Sequence, residues 1–146
     1  MSLINQMSTL PTTSDATESI EDQCKLVCMI IRATPAPSET TFYTSPELPL
    51  QVGKIVYAAG SEIPRHSHPS TTRSISGRPE VLLVQEGRMT VDIYRDDQSI
   101  LCSRELRAGD VILFFGGGHG FRLLENTVLL EIKQGPFLGE QDKKRF

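Results

Sequence analysis

From Lys25 onward the chain alternates short apolar runs with turn-forming residues. "KLVCMIIRAT" (25–34) is rich in β-branched and apolar side chains and stops at "PAPSE", as a strand ending in a turn would. "TTFYT" (40–44) and "LQVGKIVYAAG" (50–60) follow as short apolar runs separated by prolines. The pattern then becomes regular: "EVLLVQ", the turn "EGR", the alternating "MTVDIYR", the turn "DDQ", and "SILCSREL". The turn "RAGD", "VILFF", a glycine loop, "HGFRLL", the turn "EN" and "TVLLEIKQ" complete it. No stretch after residue 24 keeps a helical period for three turns. The prediction is an all-β fold, an antiparallel β-barrel or jelly-roll.

The ends read differently. Residues 1–22 are polar and rich in Ser, Thr and Glu, which predicts a flexible N-terminal tail, with 23–146 as the single domain. Asp15 followed by Glu18 resembles a capping box and predicts a short helix over 15–23. The last residues, "GPFLGEQDKKRF", are expected to cover one sheet edge or to lie on a neighbouring chain.

Composition narrows the class. At 146 residues and 16.2 kDa there is chain for one core and not for two. A net charge of −3 with no lysine or arginine run argues against nucleic acid or an anionic membrane as the partner. No apolar stretch reaches the length of a transmembrane helix, and "MSLINQMSTLPTTSDATES" lacks the basic and apolar segments of a secretory signal. The odd count of three cysteines (Cys24, Cys28, Cys102) fits reduced structural thiols, hence a cytoplasmic protein. Cys24 and Cys28 have no second pair with which to complete a zinc site.

Candidate chemistry begins at "GSEIPRHSHP" (60–69), where two of the three histidines flank one serine. In a strand, i and i+2 share a face, so a strand starting at Pro64 would set His66 and His68 side by side as a bidentate claw for a transition metal. Glu80 opens the next strong strand and supplies a hard donor. His119 follows the triple glycine, where the backbone can turn sharply and bring its side chain inward.

These residues resemble the cupins, small antiparallel β-barrels. The first cupin motif, glycine, five residues, H-x-H, a gap, glutamate, six residues and glycine, reads here as Gly60, His66, His68, Glu80 and Gly87. The second reads as Gly109, "DVILF", Phe115 and the glycines leading to His119, with Phe115 in place of the usual proline. The gap between His68 and Glu80 is longer than the family's usual three or four residues. The resemblance implies one divalent transition metal ion (Fe, Mn, Ni or Zn) held by His66, His68, Glu80 and His119. The ending "GGGHGF…EIKQGP" is also similar to stand-alone cupins that accompany surface-polysaccharide biosynthesis.

Such a site would act as a Lewis acid on a small oxygen-rich ligand: a sugar, a nucleotide sugar or a small carboxylic acid. Isomerase or epimerase, lyase and dioxygenase chemistry all remain open, as does a non-catalytic binding or sensing module, and no catalytic residue is assigned. A metal-free cupin using its histidines for acid–base work on a nucleotide sugar is a further alternative, disfavoured by the retained Glu80. The loop "PSTTRSISGRP" (69–79) should border the opening, with Arg73 and Arg78 as clamps for a carboxylate or phosphate. Phe121 and Leu123 share parity with His119, as Leu82 and Val84 do with Glu80, and would wall the ligand site. Tyr57 and Tyr94 are candidate general bases by residue type alone. A homodimer is expected, with "KLVCMIIRA" extending the partner's sheet.

Overall fold

The computed structural model describes residues 16–146. Its strands are β1 (Thr17–Asp22), β2 (Lys25–Ile31), β3 (Thr41–Phe42), β4 (Gly53–Lys54), β5 (Glu80–Glu86), β6 (Arg88–Tyr94), β7 (Ile100–Arg107), β8 (Val111–Phe114), β9 (Gly118–Leu123) and β10 (Val128–Lys133). The fold is all-β. A five-stranded sheet in the order β1-β2-β8-β5-β10 faces a three-stranded sheet β7-β6-β9, and β3-β4 form a small separate ribbon. All pairings are antiparallel. β9 and β10 do not pair with each other, so the two sheets form a jelly-roll-like sandwich and not a closed barrel.

Alternation explains which faces meet. In β6, Met89, Val91 and Ile93 are fully buried while Arg88, Thr90, Asp92 and Tyr94 point the other way. They pack with Leu106 against Cys28, Ile30, Leu82, Val84, Ile112 and Phe114 of the larger sheet, and this is the main core. The opposite face of the larger sheet buries Met29, Ile31, Val81 and Leu113 beneath Tyr43, Leu50 and Val52. β2 is covered on both faces, which is why its sequence is a continuous apolar run.

Two glycines permit the crossings between sheets. Gly87 sits at φ +85°, where β5 of one sheet passes into β6 of the other; a Cβ there would lie 2.1 Å from the carbonyl oxygen of Asn126. Gly117, at φ +65°, plays the same part between β8 and β9, with the Tyr94 carbonyl oxygen 2.2 Å from the position of a Cβ. The "RAGD" turn is held by buried Asp110. Its carboxylate accepts hydrogen bonds from the backbone N–H of Ala33 (2.7 Å) and of Arg107 (3.1 Å), and from the Arg32 guanidinium (3.1 Å).

Three sequence expectations are corrected. The helix over 15–23 is instead strand β1 over its described part, because Ile20 is buried in the core and Glu18 pairs with Arg104 and Arg32 across the structure. The tail predicted for 1–22 therefore does not extend over 17–22, and its residues 1–15 lie outside the described residues. β2 does not offer an edge to a partner: it is flanked by β1 and β8, and the edges of its sheet are β1 and β10. Among the described residues no helix is long and apolar enough to cross a membrane.

Candidate functional site

Glu80 opens β5 on the face that also carries Leu82 and Val84, and so points between the sheets. Its register partners are Phe114 on one side and Lys133 on the other. His119 lies opposite Ile93, whose side chain is in the core, so the imidazole enters the sandwich from the other sheet. His119 Nε2 and Glu80 Oε2 are 3.4 Å apart, with side chains 26% and 17% exposed. The imidazole lies on the Phe114 ring, centroids 4.0 Å apart and planes at 17°, and Phe121 flanks it at 5.2 Å.

Two residues of β10 stand beside the pair. Glu131 and Lys133 sit opposite Leu82 and Glu80, and Lys133 Nζ is 3.0 Å from Glu131 Oε2. Burial, then a hydrogen bond to Glu131 and the charge on that residue, push the Glu80 carboxyl up to about 7, against the opposing influence of Lys133 and Lys143. Glu131 is held down by the hydrogen bonds it accepts from Glu80 and Lys133. Burial, reinforced by Lys143, lowers His119 below its ordinary value, although Glu131 works the other way. Both shifts run toward the uncharged forms, His119 downward and Glu80 upward. The 3.4 Å approach is therefore a polar contact and not an ion pair.

The pair opens into a cavity of about 620 Å³ at the unpaired margin between β9 and β10. Arg78, Lys133, Lys143, Lys144 and Arg145 line it, so cationic side chains outnumber acidic ones there, although Arg78, Lys133 and Arg145 are paired with Asp142, Glu131 and Glu140 and the whole chain carries a net charge of −3. Of the three ligand-binding candidates, Arg78 and Phe121 line this cavity, and Arg78 pairs with Asp142. Arg73 is exposed in the preceding loop and is not part of the lining.

The histidine pair stands elsewhere. Residues 55–79 form no strand, and His66 and His68 are exposed within them. Pro64, Pro69 and Pro79 remove backbone donors from this stretch, and the residues between them are mostly polar, so the strand expected from Pro64 onward does not form. The two rings still meet edge to face, centroids 5.3 Å apart, and His66 Nδ1 lies 3.0 Å from the Pro64 carbonyl oxygen. Thus two of the four predicted metal donors, Glu80 and His119, come together at the mouth, while the other two are neighbours of each other in a loop. Among the described residues no group of three or more His, Cys, Asp or Glu is arranged to hold a metal ion.

Sequence reasoning did not single out Glu131 and Lys133. The available signal was parity: both alternate with apolar Leu130 and Ile132 and share the face of Leu129, which packs on the core. Two charged residues continuing a core-facing row mark a site. No family model, curated protein or solved structure matches this chain.

Proposed function

We propose that the chain is a cupin-type protein whose sandwich mouth binds a small, oxygen-rich, anionic ligand: a sugar acid, a nucleotide sugar or a small carboxylic acid. The observation that carries this reading is the Glu80–His119 contact of 3.4 Å in a cavity whose lining includes five cationic side chains. Guanidinium and ammonium groups around a partly apolar pocket suit carboxylate or phosphate oxygens, while Phe121 offers a face to a ring. A carboxyl near pH 7 beside a neutral imidazole suits proton transfer at a carbon or hydroxyl next to a carbonyl. Isomerase, epimerase and lyase activities all need that step.

The donor chemistry of the pair, one carboxylate and one imidazole, fits a divalent transition ion. Under the proposal Glu80 and His119 hold it; His66 and His68, which the resemblance also implies as donors, lie in an exposed loop outside the cavity lining and do not join them in this arrangement. When bound, the ion supplies Lewis acidity. Glu80 would hold such an ion as the carboxylate, its proton released to solvent, so affinity should rise with pH. Carbohydrate metabolism, including that of surface polysaccharides, is the proposed setting. The free state of Cys24, Cys28 and Cys102 suits a reducing cytoplasm. Copies are proposed to pair as a homodimer, for which the free edge of β10 with exposed Val128, Leu130 and Ile132 is available.

The test is calorimetric titration with Mn²⁺, Ni²⁺ and Zn²⁺, then with citrate and glucuronate, followed by turnover assays on sugar acids. Binding lost in both Glu80→Gln and His119→Ala, with the fold retained, supports the reading. Binding that survives both substitutions overturns it. Turnover that disappears with binding selects an enzyme over a binding module.

A further inference from the structure

Beyond β10 the chain turns back across the mouth. Residues 137–146 contain only a short 3₁₀ turn, Gly139–Asp142, with no buried residue. They pair with neither sheet, and the backbone bond from Lys143 N–H to the Glu140 carbonyl (3.3 Å) lies within the segment. Side chains provide the attachment to the body. Asp142 pairs with Arg78 and also accepts a hydrogen bond from the Leu138 N–H at 2.9 Å. Lys133 Nζ stands 5.4 Å from the centroid of the Phe137 ring. At the far end Phe146 meets Tyr94 edge to face, centroids 5.2 Å apart and planes at 87°. The seat for that ring exists because residue 118 lacks a side chain. A Cβ on Gly118 would lie 2.8 Å from Phe146 Cζ.

A segment fixed by one ion pair, one cation–aromatic contact and one aromatic seat belongs to the least stable part of a fold, since its opening breaks no sheet ladder. It nevertheless borders the cavity into which Glu80 and His119 open, and it carries Asp142, Lys143, Lys144, Arg145 and Phe146 into the lining. We infer that residues 137–146 form a releasable strap that gates the mouth over Glu80 and His119, with Phe146 in the Gly118–Tyr94 seat as its latch. Closed, the strap contributes cationic groups to the site and narrows access to it; released, it admits the ligand. This rests on the mouth being the ligand site, but the latch can be tested with no ligand present.

The test is carbethoxylation of the full chain by diethylpyrocarbonate near neutral pH, resolved histidine by histidine through peptide mass mapping. His66 and His68, exposed in a loop outside the cavity lining, act as internal references. In the wild type His119 should react more slowly than either. Phe146→Ala, Arg78→Ala and Gly118→Ala should each raise the His119 rate by roughly threefold or more and leave His66 and His68 unchanged. Phe146→Ala and Arg78→Ala carry the comparison if Gly118→Ala disturbs the neighbouring imidazole directly. An unchanged His119 rate in both of those variants overturns the strap. Failure of the metal and acid titrations alone would remove the ligand reading and leave the latch measurement standing.

Discussion

His119 lies nearly flat on Phe114, and the stack directs its Nε2 at the Glu80 carboxyl across the sandwich. The two residues come from different sheets, Phe114 closing β8 and His119 near the start of β9, joined by the glycine loop. The loop lets the chain change sheets within a few residues and still place an aromatic ring against an imidazole. Replacing Phe114 by Leu should free the imidazole to rotate. The His119 ring signals in a proton NMR spectrum should broaden or multiply, and retention of a single sharp set would count against the positioning role.

The Glu80 carboxyl gives a pH dependence of stability with a definite sign. Its folded value, raised to about 7, lies above the ordinary 4.5, so the folded state holds the proton over that window and the unfolded state does not. The associated stability is therefore complete below about pH 4.5 and lost as pH rises through about 7. Urea unfolding at about pH 5 and about pH 8 should show the wild type losing stability relative to Glu80→Gln as pH increases. Parallel profiles for the two proteins would remove the burial argument.

Asp110 holds two backbone N–H groups and a guanidinium with one buried carboxylate. Asp110→Ala leaves those donors without it and should cost about 2–4 kcal/mol. Equilibrium urea denaturation reads this directly; a cost within experimental error would mean the turn finds other partners.

Gly87→Ala should be similarly severe for a different reason. A side chain at φ +85° is strained, and its Cβ would meet a backbone oxygen that cannot rotate away. We expect a loss of about 1–3 kcal/mol from the strain, with the clash adding to it. Thermal unfolding of the variant close to that of the wild type would contradict the crossing geometry.

Much of the fold was legible because β5 to β10 are short apolar or alternating runs punctuated by turns of recognisable type. Met89, Val91 and Ile93 are the clearest instance, and Gly87 and Gly109 mark breaks where the chain changes sheet. β1 was not legible: "TESIED" offers one core residue, Ile20, among polar neighbours, and Asp15 and Glu18 imitate a helix start. The approach of Glu80 to His119 was legible. Glu80 and His119 lie on ladder-paired strands, so their parity was a sound guide. The reading of His66 and His68 borrowed the same rule for a stretch interrupted by prolines, where no ladder sets the faces. Glu131 and Lys133 were hidden by their ordinary appearance as charges on an edge strand.

The loop histidines give a sharp contrast with the mouth. His66→Ala and His68→Ala should each change stability by no more than about 0.5 kcal/mol, since both side chains are exposed. If they complete the metal set, each should weaken Mn²⁺ or Zn²⁺ binding at least tenfold, and unchanged affinity in both would confine the donors to the mouth.

The most direct test of the central claim is an NMR titration of the imidazole ring signals with Zn²⁺. The account predicts that His119 shifts first in the wild type and that its response disappears in Glu80→Gln, with the rest of the spectrum preserved. A His119 signal that stays still while the protein binds zinc, or that responds equally with and without the Glu80 carboxylate, would contradict it.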